Sequence, residues 1–256
     1  MLDEYISGKQ TYLQLKSKFK YDHKTIRKQI DRIDLGYPII TPRTCVIGID
    51  TCFFGKLTVT LIRDITNKQN LLWQFGTAEY RKTYASLYSE LLKNNVTILG
   101  IVADGRPYFF EMFGDTPVQM CHFHMAKILA KYLTRNPKLA VNKALWQIWH
   151  NRETFNQDTF AHMLAAWWHT YSTELSETYV DRFGKILYVK IKTRQAYFAL
   201  IRFLPWLYTY KSIRWVPTTT NSIEGVFSGL KSKINIHNGL NPGRKMKLIH
   251  YLLSKN

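Results

Sequence analysis

Two strand-length apolar runs, each closing on an aspartate, restrict what this chain can become. CVIGID runs from Cys45 to Asp50, and ILGIVAD from Ile98 to Asp104. An uninterrupted apolar stretch of that length is the pattern of a strand covered on both faces. An aspartate at a strand end often merely starts a turn. One such residue would need no other explanation; here there are two, and a third carboxylate, Glu224, follows in TTTNSIEG at the start of a helical pattern. Asn221 can act as N-cap there, which puts Glu224 at N3 as the reciprocal acid of a capping box. A first-turn carboxylate also projects outward from the helix start, so both roles are geometrically open. Two acids at strand ends and one on a helix can converge at the edge of a sheet. Clustered carboxylates raise one another's pKa unless a cation neutralises them. Hard oxygen donors suit Mg²⁺ or Mn²⁺, and a pair of such ions activates water and stabilises the leaving oxygen in phosphodiester chemistry.

The order of elements between the two aspartates narrows the fold. TCVIGID, KLTVTLIRD and NLLWQF read as three consecutive strands, with turns marked by Gly55 and by Thr66-Asn67. A helix follows over about 79–94, with Tyr80, Tyr84, Leu87, Leu91 and Leu92 as its apolar face. TILGIVAD is the central strand; a short helix after Pro107 and the brief strand PVQMC complete a β-β-β-α-β-α-β order. That is the order of a ribonuclease H-like α/β core, expected to occupy residues 43–124 and to finish with residues 213–256, which carry Glu224.

Residues 1–36 read as a small helical unit. TYLQLKSKF places Tyr12, Leu15 and Phe19 on one face, and Asp22 caps a second helix, HKTIRKQIDRI, whose apolar positions are Ile26 and Ile30. The outward face of that second helix carries His23, Lys24, Arg27 and Lys28. Two short helices joined by a tight turn, the second basic, have the pattern of a helix-turn-helix DNA reader; an ordinary helical hairpin with a solvated basic face has it too. Lys20 stands in the turn, where Gly is usual. Gly36-Tyr37-Pro38 reads as a linker.

Residues 125–212 read as helical throughout, in MAKILAKYL, LAVNKALWQIWH, TFAHMLAAWWHTYSTEL and TRQAYFALIRFLPWLYTY. The block separates Asp104 from Glu224 and reads as an all-α insertion in the core. Its tryptophans, Trp146, Trp149, Trp167, Trp168 and Trp206, are expected to be core rather than nucleotide stackers. The last segment holds no acid after Glu224; Ile223, Val226, Phe227, Leu230 and Ile234 form one stripe, with Lys231, Lys233, Arg244, Lys245 and Lys247 outside it.

Charge bears on the partner. There are 36 Lys and Arg against 18 Asp and Glu, a formal net charge of +18. An excess of that size fits a polyanion sharing the surface; ribosomal proteins and binders of anionic membranes have it as well. A 46% hydrophobic content supplies a core and excludes a solvated basic tail. Cys45, Cys52 and Cys121 are too few and too irregular for a disulfide framework. The N-terminal MLDEYISGKQ has no apolar signal core, and no window approaches a membrane span. A soluble, cytoplasmic and nucleoid-associated protein is expected, with no small-molecule cofactor and no glycine-rich phosphate loop.

Cys121-His122-Phe123-His124 sits where the fifth strand gives way to the first inserted helix. Cys121 and His124 have C-x-x-H spacing, but two ligands of a zinc site are missing, which leaves a local role at the start of that helix. Together, the ID at Asp50, the ADGRP at Asp104, the CHFH at Cys121 and TTNSIEGVFSGLK around Glu224 resemble the DDE transposases of bacterial insertion sequences, in particular the bacterial relatives of Mutator-like elements. The resemblance extends from GKQTYLQL to HNGL. It implies metal-dependent cleavage at transposon ends and 3′-OH strand transfer into target DNA, with Asp50, Asp104 and Glu224 holding two Mg²⁺ (Mn²⁺ substituting), and Cys121 and His124 as the accessory motif. Double-stranded DNA and a homo-oligomer on that DNA are the implied partners. An inactive or domesticated transposase acting as a DNA-binding protein is the alternative. Members of that group often begin with a Cys₄ zinc ribbon ahead of the helix-turn-helix; this sequence opens on the latter, so either the reading frame is truncated or this version never had the ribbon.

Overall fold

The computed structural model describes residues 2–6, 8, 10–36, 39–106, 108–237 and 239–255; Tyr37 and Pro38 of the expected linker, and Pro107 ahead of the expected short helix, lie outside them. In chain order the elements are α1 (Leu2–Ile6), α2 (Tyr12–Phe19), α3 (His23–Asp31), β1 (Arg43–Phe54), β2 (Leu57–Asp64), β3 (Gln69–Gly76), α4 (Arg81–Lys93), β4 (Val96–Ala103), α5 (Phe109–Met112) and β5 (Val118–Met120). There follow α6 (His122–Leu133), α7 (Ala140–His150), a 3₁₀ turn (Arg152–Thr154), α8 (Gln157–Thr170), α9 (Ser172–Ser176), β6 (Thr178–Val180), β7 (Ile186–Tyr188), α10 (Ile191–Leu207), α11 (Thr209–Ser212), α12 (Asn221–Ile234) and α13 (Pro242–Ser254). The fold is mixed α/β, with a five-stranded mixed sheet in the order β3-β2-β1-β4-β5. The chain divides into two compact units, Met1–Leu99 with Thr220–Asn256, and Gly100–Thr219.

In the first unit, β1, β2 and β3 form an antiparallel meander whose register pairs Gly48 with Arg63, Asp50 with Leu61, and Leu61 with Trp73. Asp50 does not end its strand, contrary to the sequence reading. β1 continues past the carboxylate to Phe54, because Phe54 still pairs with Leu57 across the two-residue loop at Gly55-Lys56. Directly opposed residues share a face, so Gly48, Asp50, Cys52, Leu61, Arg63 and Trp73 all look the same way. α12 and α13 cover that face: Ile223, Phe227, Leu230 and Ile234 are buried with Cys52, Leu61, Trp73, Leu248 and Leu252 in one cluster. Each fully buried aliphatic side chain of this kind contributes roughly 1.5–3 kcal/mol. On the other face, Thr51 Oγ1 meets the Tyr84 hydroxyl of α4. Tyr84, Leu87 and Leu91 bury there, whereas Tyr80 and Leu92 of the expected stripe are exposed: Tyr80 is the N-cap and Leu92 lies one position beyond the buried face.

The N-terminal helices belong to the same core. Leu15, Ile26 and Ile30 bury in the cluster that holds α12 and α13, as do Tyr5 and Ile6 of α1, a helix the sequence pattern did not announce. Thr11 and Gln14 form a capping box on α2, and the Asp22 side chain accepts from Thr25 N at the start of α3. Lys20 turns the chain in the left-handed region at φ 59°. Arg244 and Lys247, outside the apolar stripe as expected, are tied to α3. The guanidinium grips the Asp31 carboxylate at 2.8 and 2.7 Å, and the Lys247 ammonium donates to the Asp31 carbonyl.

In the second unit, Gly100–Ala103 of β4 run parallel to β5, with Ile101 beside Val118. The buried amide of Gln119 serves the α10–α11 junction, donating to the Leu207 carbonyl and accepting from Tyr210 N. α6, α7, α8 and α10 enclose a core in which Trp146, Trp149 and Trp167 are buried and Trp168 and Trp206 pack against them, as the sequence suggested. The block is not all-α. β6 and β7 form an antiparallel hairpin pairing Thr178 with Tyr188 and Val180 with Ile186. Asp181 folds its turn, with Oδ1 accepting from Phe183 N and Lys185 N, and Gly184 supplies the φ of 78° that an L side chain resists. Helical periodicity missed it because each strand is three residues long.

Candidate functional site

The acids are positioned by what packs around them. Gly48 lies two residues before Asp50 on the face of β1 that α12 covers. A Cβ at Gly48 would stand 2.7 Å from Ile223 Cδ1 and 2.9 Å from Ile65 Cδ1. The missing side chain is what lets Ile223 sit directly on the strand, and Glu224 is the next residue of the helix. Oxygens of the Asp50 and Glu224 carboxylates consequently lie within 4.8 Å of one another, both groups half-buried. Further along, the Cys52 thiol is pushed up by burial, an effect that Lys231 offsets and Asp50 reinforces. The helix thus tracks the strand, with Ile223 at Gly48, Glu224 at Asp50 and Lys231 at Cys52.

Glu224 is not a capping-box acid. Thr220 takes the N-cap position, without a side-chain capping bond, and Asn221 is already helical. The helix begins one residue earlier than the capping-box register requires, and Glu224 N donates to the Thr220 carbonyl at 3.1 Å. The carboxylate falls in the fourth helical position, beyond the reach of that box.

Asp104 is the first residue after β4, half-buried, with Oδ1 accepting from Arg106 N at 3.2 Å and Oδ2 at 3.5 Å from Arg106 Nε. Cys121 is buried at the N-cap of α6, its N–H donating to the Ala103 carbonyl at 2.8 Å, and His124 is half-buried one turn on. Among the described residues Cys121 joins no group of three possible metal ligands. His23, Lys24, Arg27 and Lys28 are all exposed, opposite the buried Ile26 and Ile30 of α3.

No protein-family model matches this sequence, and no curated protein matches it. The site is therefore read from its own chemistry.

His122 fills a role the C-x-x-H reading passed over. Its buried ring donates from Nε2 to the Leu207 carbonyl at 2.9 Å and accepts at Nδ1 from Arg152 Nε at 3.1 Å. Burial, with the Arg152 charge beside it, pushes its pKa down to about 4. Both nitrogens are occupied and the ring is neutral, so it locks α6 to the end of α10. The other residue missed was Gly48, although a glycine inside an apolar strand is itself a sign of close backbone approach.

The Asp50 and Glu224 carboxylates offer anionic oxygen donors from a strand and a helix, which suit a hard divalent cation.

Proposed function

We propose that the chain is a metal-dependent DNA phosphoryl-transfer enzyme of the transposase type, with Asp50, Asp104 and Glu224 as its metal-binding carboxylates. The observation that carries the reading is the approach of Asp50 and Glu224, secured by Gly48. Two carboxylates brought this close from a strand and a helix have a use when they share a cation. The strand order β3-β2-β1-β4-β5, three antiparallel strands and a parallel β4–β5 pair, supports a ribonuclease H-like core. Asp104 joins the site on the sequence resemblance, at the end of β4, with its charge now balanced by Arg106.

Bound Mg²⁺ or Mn²⁺, two ions in the full site, supplies Lewis acidity and an activated water for in-line attack on a phosphodiester. The carboxylates hold that charge in place and orient it. No covalent protein intermediate forms, so no Ser or Tyr nucleophile is assigned. The exposed basic face of α3 and the net charge of +18 give DNA a sequence-independent hold. A homo-oligomer on DNA follows from the need to hold two ends.

A second reading, a DNA-binding protein without catalysis, draws on the same basic face. Labelled DNA carrying the ends of the surrounding element, incubated with plasmid and Mg²⁺ or Mn²⁺, separates the two. Joined products from the wild type, absent from Glu224→Gln, are the expected result. Binding without nicked or joined products would leave only the second reading; nicks without joining would indicate a nuclease.

A further inference from the structure

A cavity of about 570 Å³ in the first unit lies between β2, α12 and α13. Its most unusual wall is Arg63. The residue is 7% exposed; one guanidinium nitrogen donates to Asn70 Oδ1, while Nε is shut off from solvent and makes no hydrogen bond. The neighbouring Asp64 carboxylate favours the Arg63 charge at a distance but gives Nε no hydrogen bond: it accepts from Asn67 N at 2.9 Å and Asn67 Nδ2 at 2.8 Å and faces Arg43 at 3.9 Å. A buried guanidinium stays charged, and an unfilled donor on a buried cation is costly. Ser222, second residue of the 14-residue α12, adds a buried Oγ without a partner on the same cavity. Lys68 and Lys233 complete a cationic lining with no carboxylate in it.

The rest of the wall is apolar. Val226, Leu230 and Leu252 line it, and at Gly225 and Gly229 an added Cβ would meet nothing within 4 Å. A flat group can therefore lie against the bare helix backbone. We infer that this cavity binds a nucleotide, its phosphate on Arg63 and Ser222 with Lys68 and Lys233 beside it, and its base on the Gly225–Gly229 face. Arg is the side chain whose fork matches phosphate oxygens, and the volume lies in the usual range for small-ligand sites. A free mononucleotide and an unpaired nucleotide of a DNA strand share this chemistry.

The test uses the full chain in EDTA, so that the outcome is independent of the carboxylate site. Inorganic phosphate, AMP and a 5′-phosphorylated thymidine hexanucleotide are titrated by calorimetry. Saturable binding of AMP or of the hexanucleotide is expected, tighter than that of phosphate. Preference for AMP identifies a free nucleotide; preference for the hexanucleotide identifies a strand. Arg63→Gln should weaken binding about tenfold or more, the value of a charge-assisted hydrogen bond. Gly229→Leu keeps the charges, fills the open face and suits a helix, so it tests the cavity even if Arg63→Gln fails to fold. It should abolish the advantage of AMP or the hexanucleotide over phosphate. No binding of any probe, equal affinity for phosphate and both nucleotides, or nucleotide binding unchanged in Gly229→Leu would overturn the assignment.

Discussion

Gly48→Ala is the smallest change that probes how the site is assembled. Two effects oppose each other. Replacing glycine inside a strand recovers about 0.5–1 kcal/mol of backbone entropy. The new methyl, however, would stand 2.7 Å from Ile223 Cδ1 and 2.9 Å from Ile65 Cδ1, closer than carbon atoms pack, so both isoleucines must move. Overpacking a filled core costs roughly 1–3 kcal/mol, which leaves a net loss of about 0–2.5 kcal/mol. Ile223→Ala alone should cost about 2–5 kcal/mol through the cavity it opens. In the double variant the methyl added at position 48 takes space that the isoleucine vacated, so the combined loss should fall short of the sum of the two by more than about 1 kcal/mol. Urea unfolding followed by circular dichroism of the four proteins closes the cycle. Additivity within about 0.5 kcal/mol, the behaviour of independent sites, would refute the direct contact of α12 on β1 and with it the account of why Glu224 meets Asp50.

Lys20→Gly should raise stability by about 1 kcal/mol, since Lys20 holds a left-handed φ of 59° at the end of α2; a fall in melting temperature would contradict this. His122 is held neutral with a pKa near 4, so the unfolded chain binds the extra proton as pH falls from about 6.5 to 4. Stability should drop by about 3 kcal/mol across that window and stay constant with pH above it as far as this group is concerned; a pH profile unchanged in His122→Asn would remove the residue from the account. Arg27→Gln and Lys24→Gln should each weaken DNA binding uniformly across sequences and reduce the salt slope by about one. An unchanged slope would take the outward face of α3 off the DNA.

The large elements were legible because their patterns are long. The meander, α4 and the continuous apolar run of β4 follow from periodicity, and the Asp22 cap followed from one residue before an apolar stripe. What escaped depended on short or tertiary information. The β6–β7 hairpin has three-residue strands set among helices, too brief for a period of two to register. The apolar run of β1 stops at Asp50, which reads as a strand terminus, yet the backbone ladder continues, held by the Phe54–Leu57 pair. The start of α12 shifted by one residue, which removes the capping explanation for Glu224. At the site, the identity of the acids could be read in sequence, but the device that joins two of them could not. Gly48 matters only once α12 is known to lie over it. Arg63 and Ser222 likewise become notable only when burial reveals donors without partners.

Binding of Mn²⁺ measures the central claim most directly. Wild type, Asp50→Asn and Glu224→Gln would be titrated with Mn²⁺ and free ion followed by electron paramagnetic resonance, with urea unfolding run in parallel. Saturable binding by wild type, lost in both variants while each still unfolds cooperatively in urea, is the predicted result. Wild type that binds no Mn²⁺, or variants that bind it equally well, would contradict the Asp50–Glu224 pair as a metal site.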